Sequence, residues 1–130
     1  MRRYITILFV LLMMASGADL SGRYAGEWKG NSSGSSGAFR LSLEQAAGGA
    51  WKLDVVFTFG GEEVKTITRS VKVDQSKLDA SYDFDLQGNP LRSNITGEWN
   101  GKAFEGKYKT TTVDGSTAVD DGVWSAARAK

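Results

Sequence analysis

This sequence predicts an all-β domain closed into a barrel, and three observations carry the prediction. From Ser21 onward apolar and polar residues alternate with period two, and no window shows the i, i+3, i+4, i+7 pattern of an amphipathic helix. Short clusters of turn-forming residues separate the alternating runs, so successive strands are antiparallel neighbours in an up-and-down meander of about eight strands. A flat sheet of that length would leave two edges and one apolar face in water, whereas closure into an eight-stranded antiparallel barrel covers all three.

Before the first strand, Arg2 and Arg3 precede an apolar run from Tyr4 to Ala15, followed by the small residues Ser16, Gly17 and Ala18. This is the charged, apolar and small-residue order of a secretory signal peptide, expected over residues 1–18. The apolar run is twelve residues long, well short of the roughly 20 that a spanning helix needs. The expected product is therefore a single domain over residues 19–130, secreted or periplasmic, with no membrane anchor after cleavage.

The first strand holds Gly26-Glu27-Trp28. In the second, Phe39, Leu41 and Leu43 point one way while Arg40, Ser42 and Glu44 point the other; the third turns Trp51, Leu53, Val55, Phe57 and Phe59 inward. The fourth is anomalous, because the parity of Ile67, Val71 and Val73 carries Lys65 and Arg69 with it. Either a bulge re-aims these cations or Arg69 meets an anionic ligand inside. Leu78, Ala80, Tyr82, Phe84 and Leu86 make the inner face of the fifth strand; Leu91, Ile95 and Trp99 mark the sixth, Phe104 and Tyr108 the seventh. Ala46 to Gly49, Gly60-Gly61, Asp74 to Lys77, Gln87 to Pro90 and Asn100-Gly101 are the reversals, the last fitting a two-residue type I′ hairpin. The eighth strand carries Trp124 to Arg128.

Composition excludes much chemistry. The chain has 130 residues, 16 basic and 15 acidic side chains, and neither His nor Cys. Disulfides, thiolate or imidazole catalysis and thiolate- or histidine-bound metals are thereby absent, and a net charge of +1 offers no footprint for nucleic acid. No cofactor or metal is expected. Asp114, Asp120 and Asp121 read as a solvated turn rather than a calcium loop, since no ligand spacing is present. Glu27 and Glu98 would have to be the carboxyl pair of a glycosidase, but each neighbours an inward Trp and so faces solvent. The chain is expected not to be an enzyme.

All four Trp residues stand two positions after a Gly, at Gly26, Gly49, Gly97 and Gly122. On a strand that Gly shares the Trp face and leaves space for an indole or a cross-strand neighbour. Gly26-x-Trp28 on the first strand, together with Trp124-Ser125-Ala126-Ala127-Arg128 on the last, resembles the calycin superfamily of lipocalins, fatty-acid-binding proteins and avidins. The resemblance implies a barrel closed by pairing of the first and last strands. It also implies that Gly26, Trp28, Trp124 and Arg128 hold the barrel shut, with Arg128 lying across Trp28. The avidin Asn two residues after that Trp is replaced here by Gly30, so biotin binding is not implied.

Two functions remain. In one, a non-catalytic barrel binds an unknown small molecule at its open mouth, with Arg69, Tyr82, Trp99 and Tyr108 as the candidate lining and the loop Asn31 to Gly37 over one end. In the other, a filled core leaves a protein-binding or structural module, as in barrel-shaped inhibitors. Twelve aromatic residues after the leader point to a well-filled interior with at most a shallow pocket. An internal cavity near the lower ligand-pocket range of about 300 Å³ would favour the first.

Overall fold

In the strand Lys77–Leu86 the alternation becomes physical: Leu78, Ala80, Tyr82 and Phe84 are buried, while Asp79 and Asp85 are exposed. The computed structural model describes residues 20–129, so the expected leader lies outside the described residues. Among the described residues nine strands form: β1 (Gly22–Gly30), β2 (Ser36–Gln45), β3 (Trp51–Phe59), β4 (Glu62–Lys65), β5 (Ile67–Asp74), β6 (Lys77–Leu86), β7 (Asn89–Trp99), β8 (Ala103–Thr112) and β9 (Ala118–Arg128). All pairings are antiparallel, in the order β4-β3-β2-β1-β9-β8-β7-β6-β5. The sheet curls around one apolar core that includes Tyr24, Phe39, Val55, Ile95, Phe104 and Trp124.

The expected eight-stranded closed barrel is corrected in count and in closure. The fourth run divides at Thr66 into β4, which pairs with β3, and β5, which pairs with β6, and no ladder joins β4 to β5. The sheet is therefore an open barrel with a seam. At the near end of that seam side chains replace the ladder: Thr66 Oγ1 donates to the Val55 carbonyl at 2.7 Å and Thr68 Oγ1 to that of Leu53 at 2.6 Å. Because β5 starts only opposite Asp83, the β6 residues 84–86 have no β5 partner. A cleft of about 610 Å³ opens there, lined by Glu62, Val64, Lys65, Asp85 and Leu86 among others.

The Arg69 anomaly resolves as a bulge. Register shifts between Thr68 and Ser70, so Arg69 leaves the inner face; its side chain is 55% exposed and lies 3.7 Å from Asp83 on the outer face. The same bulge turns Ile67 outward, leaving it 69% exposed. Arg92 completes the cluster by donating to both Asp83 oxygens, at 2.6 and 3.0 Å. This pairing, more than the distant Arg69, holds the Asp83 carboxyl below its usual pKa.

The first and last strands do zip together, from Tyr24 opposite Arg128 to Gly30 opposite Gly122. That ladder places Arg128 four residues from Trp28, about 13 Å along the strand. Arg128 therefore cannot cross Trp28, and it lies instead 5.2 Å from the Tyr24 ring centre and 5.3 Å from that of Trp99, with Nη1 donating to the Ser21 carbonyl at 3.0 Å. These residues, with Phe104 at 5.0 Å from Tyr24, plug one end of the barrel.

Trp28 and Trp124 face each other at the centre of the β1–β9 ladder. Each Trp stands opposite a glycine of its outer neighbour in the ladder, Gly37 in β2 and Gly106 in β8. Each then donates to a carbonyl one strand further on, Trp28 Nε1 to Thr58 at 2.9 Å and Trp124 Nε1 to Thr96 at 3.1 Å. Two indoles thus tie together β3 through β7 around the inside of the sheet. The glycine before Trp99 serves Trp124 rather than its own neighbour, since a Cβ at Gly97 would sit 2.6 Å from Trp124 Cζ2. Gly49 plays no such part; it lies in a turn with φ of 91°.

Turn chemistry also departs from expectation at one place. Asn100 does not take positive φ; its side-chain oxygen accepts from the amides of Lys102 and Ala103, both at 2.9 Å, and only Gly101 is left-handed. Side-chain capping by Asn100 replaces the type I′ turn. Positive φ at both central positions, as that turn requires, occurs instead at Gly60-Gly61 and Gln87-Gly88.

Candidate functional site

The plugged end carries Arg128, Tyr24 and Trp99; the other end, ringed by the turns after β1, β3, β6 and β8, contains a pocket. Its volume is about 180 Å³. That is below the drug-sized range beginning near 300 Å³ but above the roughly 150 Å³ that accommodates benzene. The walls are aromatic: Trp28, Phe57, Phe59, Phe84 and Tyr108 line it, with Leu86 and Leu91. Trp28 stands nearly perpendicular to both Phe57 and Tyr108, at 84° to each, and parallel to Phe59 within 15°.

One cross-strand row breaks this apolar lining. Tyr82 of β6, Ser93 of β7, Thr110 of β8 and Asp120 of β9 are consecutive ladder partners, all facing inward. Ser93 and Thr110 are 2% and 6% exposed, and their hydroxyls lie 2.5 Å apart. Burial pushes the Tyr82 hydroxyl pKa up, with a Ser93 hydrogen bond opposing.

Asp120 stands at the rim. Tyr108 donates its hydroxyl to Asp120 Oδ2 at 2.9 Å, Ser33 Oγ to the same oxygen at 3.0 Å, and the Ser33 amide to Oδ1 at 3.1 Å. The loop after β1 is thereby fastened across the mouth, and Ser33 and Ser35 become part of the lining. Gly30 lies beneath this contact, where a Cβ would come within 2.5 Å of Asp120 Oδ2 and displace that side chain. Burial first, and the Asp120 carboxylate second, push the Tyr108 hydroxyl pKa up, so it stays a hydrogen-bond donor at neutral pH.

Of the candidates read from the sequence, Tyr82 and Tyr108 meet in this pocket, while Trp99 lies at the plugged end and Arg69 on the outer face. Trp28, assigned to holding the barrel shut, also lines the pocket. Sequence reasoning missed Ser93, Thr110 and Asp120. The signal for the first two was a hydroxyl on an inward parity, Ser93 between Leu91 and Ile95 and Thr110 two after Tyr108. Asp120 gave the same kind of signal, standing two positions before Gly122 and four before Trp124 on one unbroken parity, but it sits in an acidic stretch that reads as a solvated turn.

The three carboxylates Asp114, Asp120 and Asp121 do not converge; each takes its own hydroxyl donors. Asp114 Oδ1 accepts from Thr112 Oγ1 at 2.6 Å and from the Ser116 hydroxyl and amide at 2.8 and 3.0 Å. These bonds hold its pKa near about 2. A depressed folded-state pKa contributes stability above the unfolded value of about 4, and that contribution is lost as pH falls through the folded value. Asp114→Asn is therefore expected to lower stability by a constant amount above about pH 5. The gap to the wild type should narrow between about pH 4 and 2, as read by urea unfolding at a series of pH values.

Glu27 and Glu98 are exposed on the outer face, in a row running through Ser125 and Glu105. Three strand spacings separate them, about 14 Å, beyond the 5 to 10 Å of a glycosidase pair. Among the described residues no helix is long and apolar enough to cross a membrane. Comparison with known protein families, with curated proteins and with solved structures finds no match for this chain.

Proposed function

We propose that this chain is an exported, non-catalytic, calycin-like barrel that binds a small, largely apolar molecule at the end opposite Arg128. The observation that carries the reading is the pocket itself: a recess walled by aromatic rings, in an otherwise filled core, with the inward row Tyr82, Ser93 and Thr110 at its side. Buried hydroxyls lower stability unless they are paired, and they are uncommon on the inner face of a barrel whose only task is to be filled. Export is supported by the leader pattern of residues 1–18. The calycin-like reading is supported by the β1–β9 ladder and by an Arg from the last strand stacked at the plugged end.

Benzyl alcohol, about the size the recess admits, tests the reading. It is expected to bind with a Kd of about 1 mM or tighter. In nitrogen–proton spectra the Trp28 indole and the Leu91 and Tyr108 amides should shift, while the Trp99 indole stays in place. Absence of shifts at Trp28 up to the solubility limit would remove the proposal. Shifts confined to Glu62–Lys65 would favour the alternative of a protein-binding module, for which the bare edges of β4 and β6 offer an extended segment a place to pair.

A further inference from the structure

Resting on that pocket reading, we infer that the ligand is a small organic cation, an ammonium on a ring-sized apolar body, with its charge held at Asp120. The argument is one of complementarity. Among the described residues lining the pocket none is Lys or Arg, and Asp120 is the one ionisable carboxylate there. An anionic ligand, such as a fatty acid or phosphate ester, would lose its hydration without gaining a cation. Among the other polar groups on the wall, the Ser93 and Thr110 hydroxyls bond each other, and those of Ser33 and Tyr108 donate to Asp120 itself. Asp120 receives three donors, from Ser33 twice and Tyr108 once. An ionised carboxylate offers about four lone-pair directions, so one acceptor direction remains for a ligand.

The rings act in the same sense. Trp28, the best ring type for holding a cation, lines the recess together with Tyr108, whose hydroxyl touches Asp120. The indole N–H of Trp28 is directed away to the Thr58 carbonyl, so its donor edge is occupied. Phe57 and Phe59 then supply the apolar body with walls that make no polar demand. A carboxylate at the rim and ring faces below it suit a ligand that enters apolar end first and leaves its ammonium at the mouth. There charge attraction is strengthened by low-dielectric walls.

Three probes of one shape separate the possibilities: benzylamine, benzyl alcohol and benzoate, each titrated into the purified protein at pH 7 and low salt while the Trp28 indole signal is followed. Benzylamine is expected to bind about tenfold tighter than benzyl alcohol, one charge-assisted hydrogen bond converted by the affinity relation, and benzoate weakest. In Asp120→Asn the preference for the amine should vanish, the ratio of benzylamine to benzyl alcohol affinity falling to about one whatever the absolute affinity of the alcohol. Should that variant not fold, the wild type decides alone: added salt should weaken benzylamine and leave benzyl alcohol unchanged. Alcohol binding as tightly as the amine, or benzoate binding best, overturns the cation and leaves the pocket reading in place. If none of the three binds, both fall.

Discussion

Gly106→Ala is expected to cost about 3 kcal/mol or more. A Cβ at Gly106 would fall inside the contact limit of the Thr96 carbonyl oxygen and 2.7 Å from the Gly97 Cα. Both obstacles are backbone, so no rotamer change relieves them; β7 and β8 must separate. These two strands are where the Trp124 indole crosses to Thr96, so the separation also pulls on that hydrogen bond. Urea unfolding monitored by tryptophan emission measures the loss. A Gly106→Ala protein within about 1 kcal/mol of the wild type would show that the close approach of β7 and β8 is not required.

Trp124→Phe is expected to cost about 2 kcal/mol, through lost ring contacts with Phe39 and Phe104 and a Thr96 carbonyl left without its donor. Gly97→Ala alone should cost about as much, because its Cβ would lie 2.6 Å from Cζ2 and 3.0 Å from Cη2 of that indole. Those atoms lie at the far end of the indole, beyond the reach of a Phe ring. The double variant is therefore expected to be more stable than the two single losses added together, by about 1 kcal/mol. Additive losses in a double-mutant cycle would mean that Gly97 is present for some reason other than the indole above it.

These two results concern the same design, and only half of it was legible beforehand. The Gly-x-Trp spacing pointed to glycines making room for rings, which Gly97 does. Which ring it serves depends on β7, β8 and β9 being neighbours, a fact of register that no local pattern contains. Arg128 is a parallel case. The ladder that pairs it with Tyr24 also removes it from Trp28, so the expected partner on the chain was wrong while the expected pairing of strands was right.

The fourth run shows the same division at the level of topology. Its parity anomaly located a bulge near Arg69, because a cation on an apolar face must either leave it or be neutralised. The division of that run at Thr66, with one half on β3 and the other on β6, was not legible. Turn residues normally mark strand ends, and Lys65-Thr66-Ile67 contains none.

Alternation and turn chemistry alone determined the class, the antiparallel order and most of the inner face, since period two assigns each side chain to one side of a sheet wherever the register holds. Tertiary structure decided the seam, the plugged end and the pocket. Each of these depends on which strands lie two or three apart around the curl and on bulges that shift register, as at Arg69. Such positions are set by packing and closure of the whole sheet, a free energy that no short stretch of residues carries by itself.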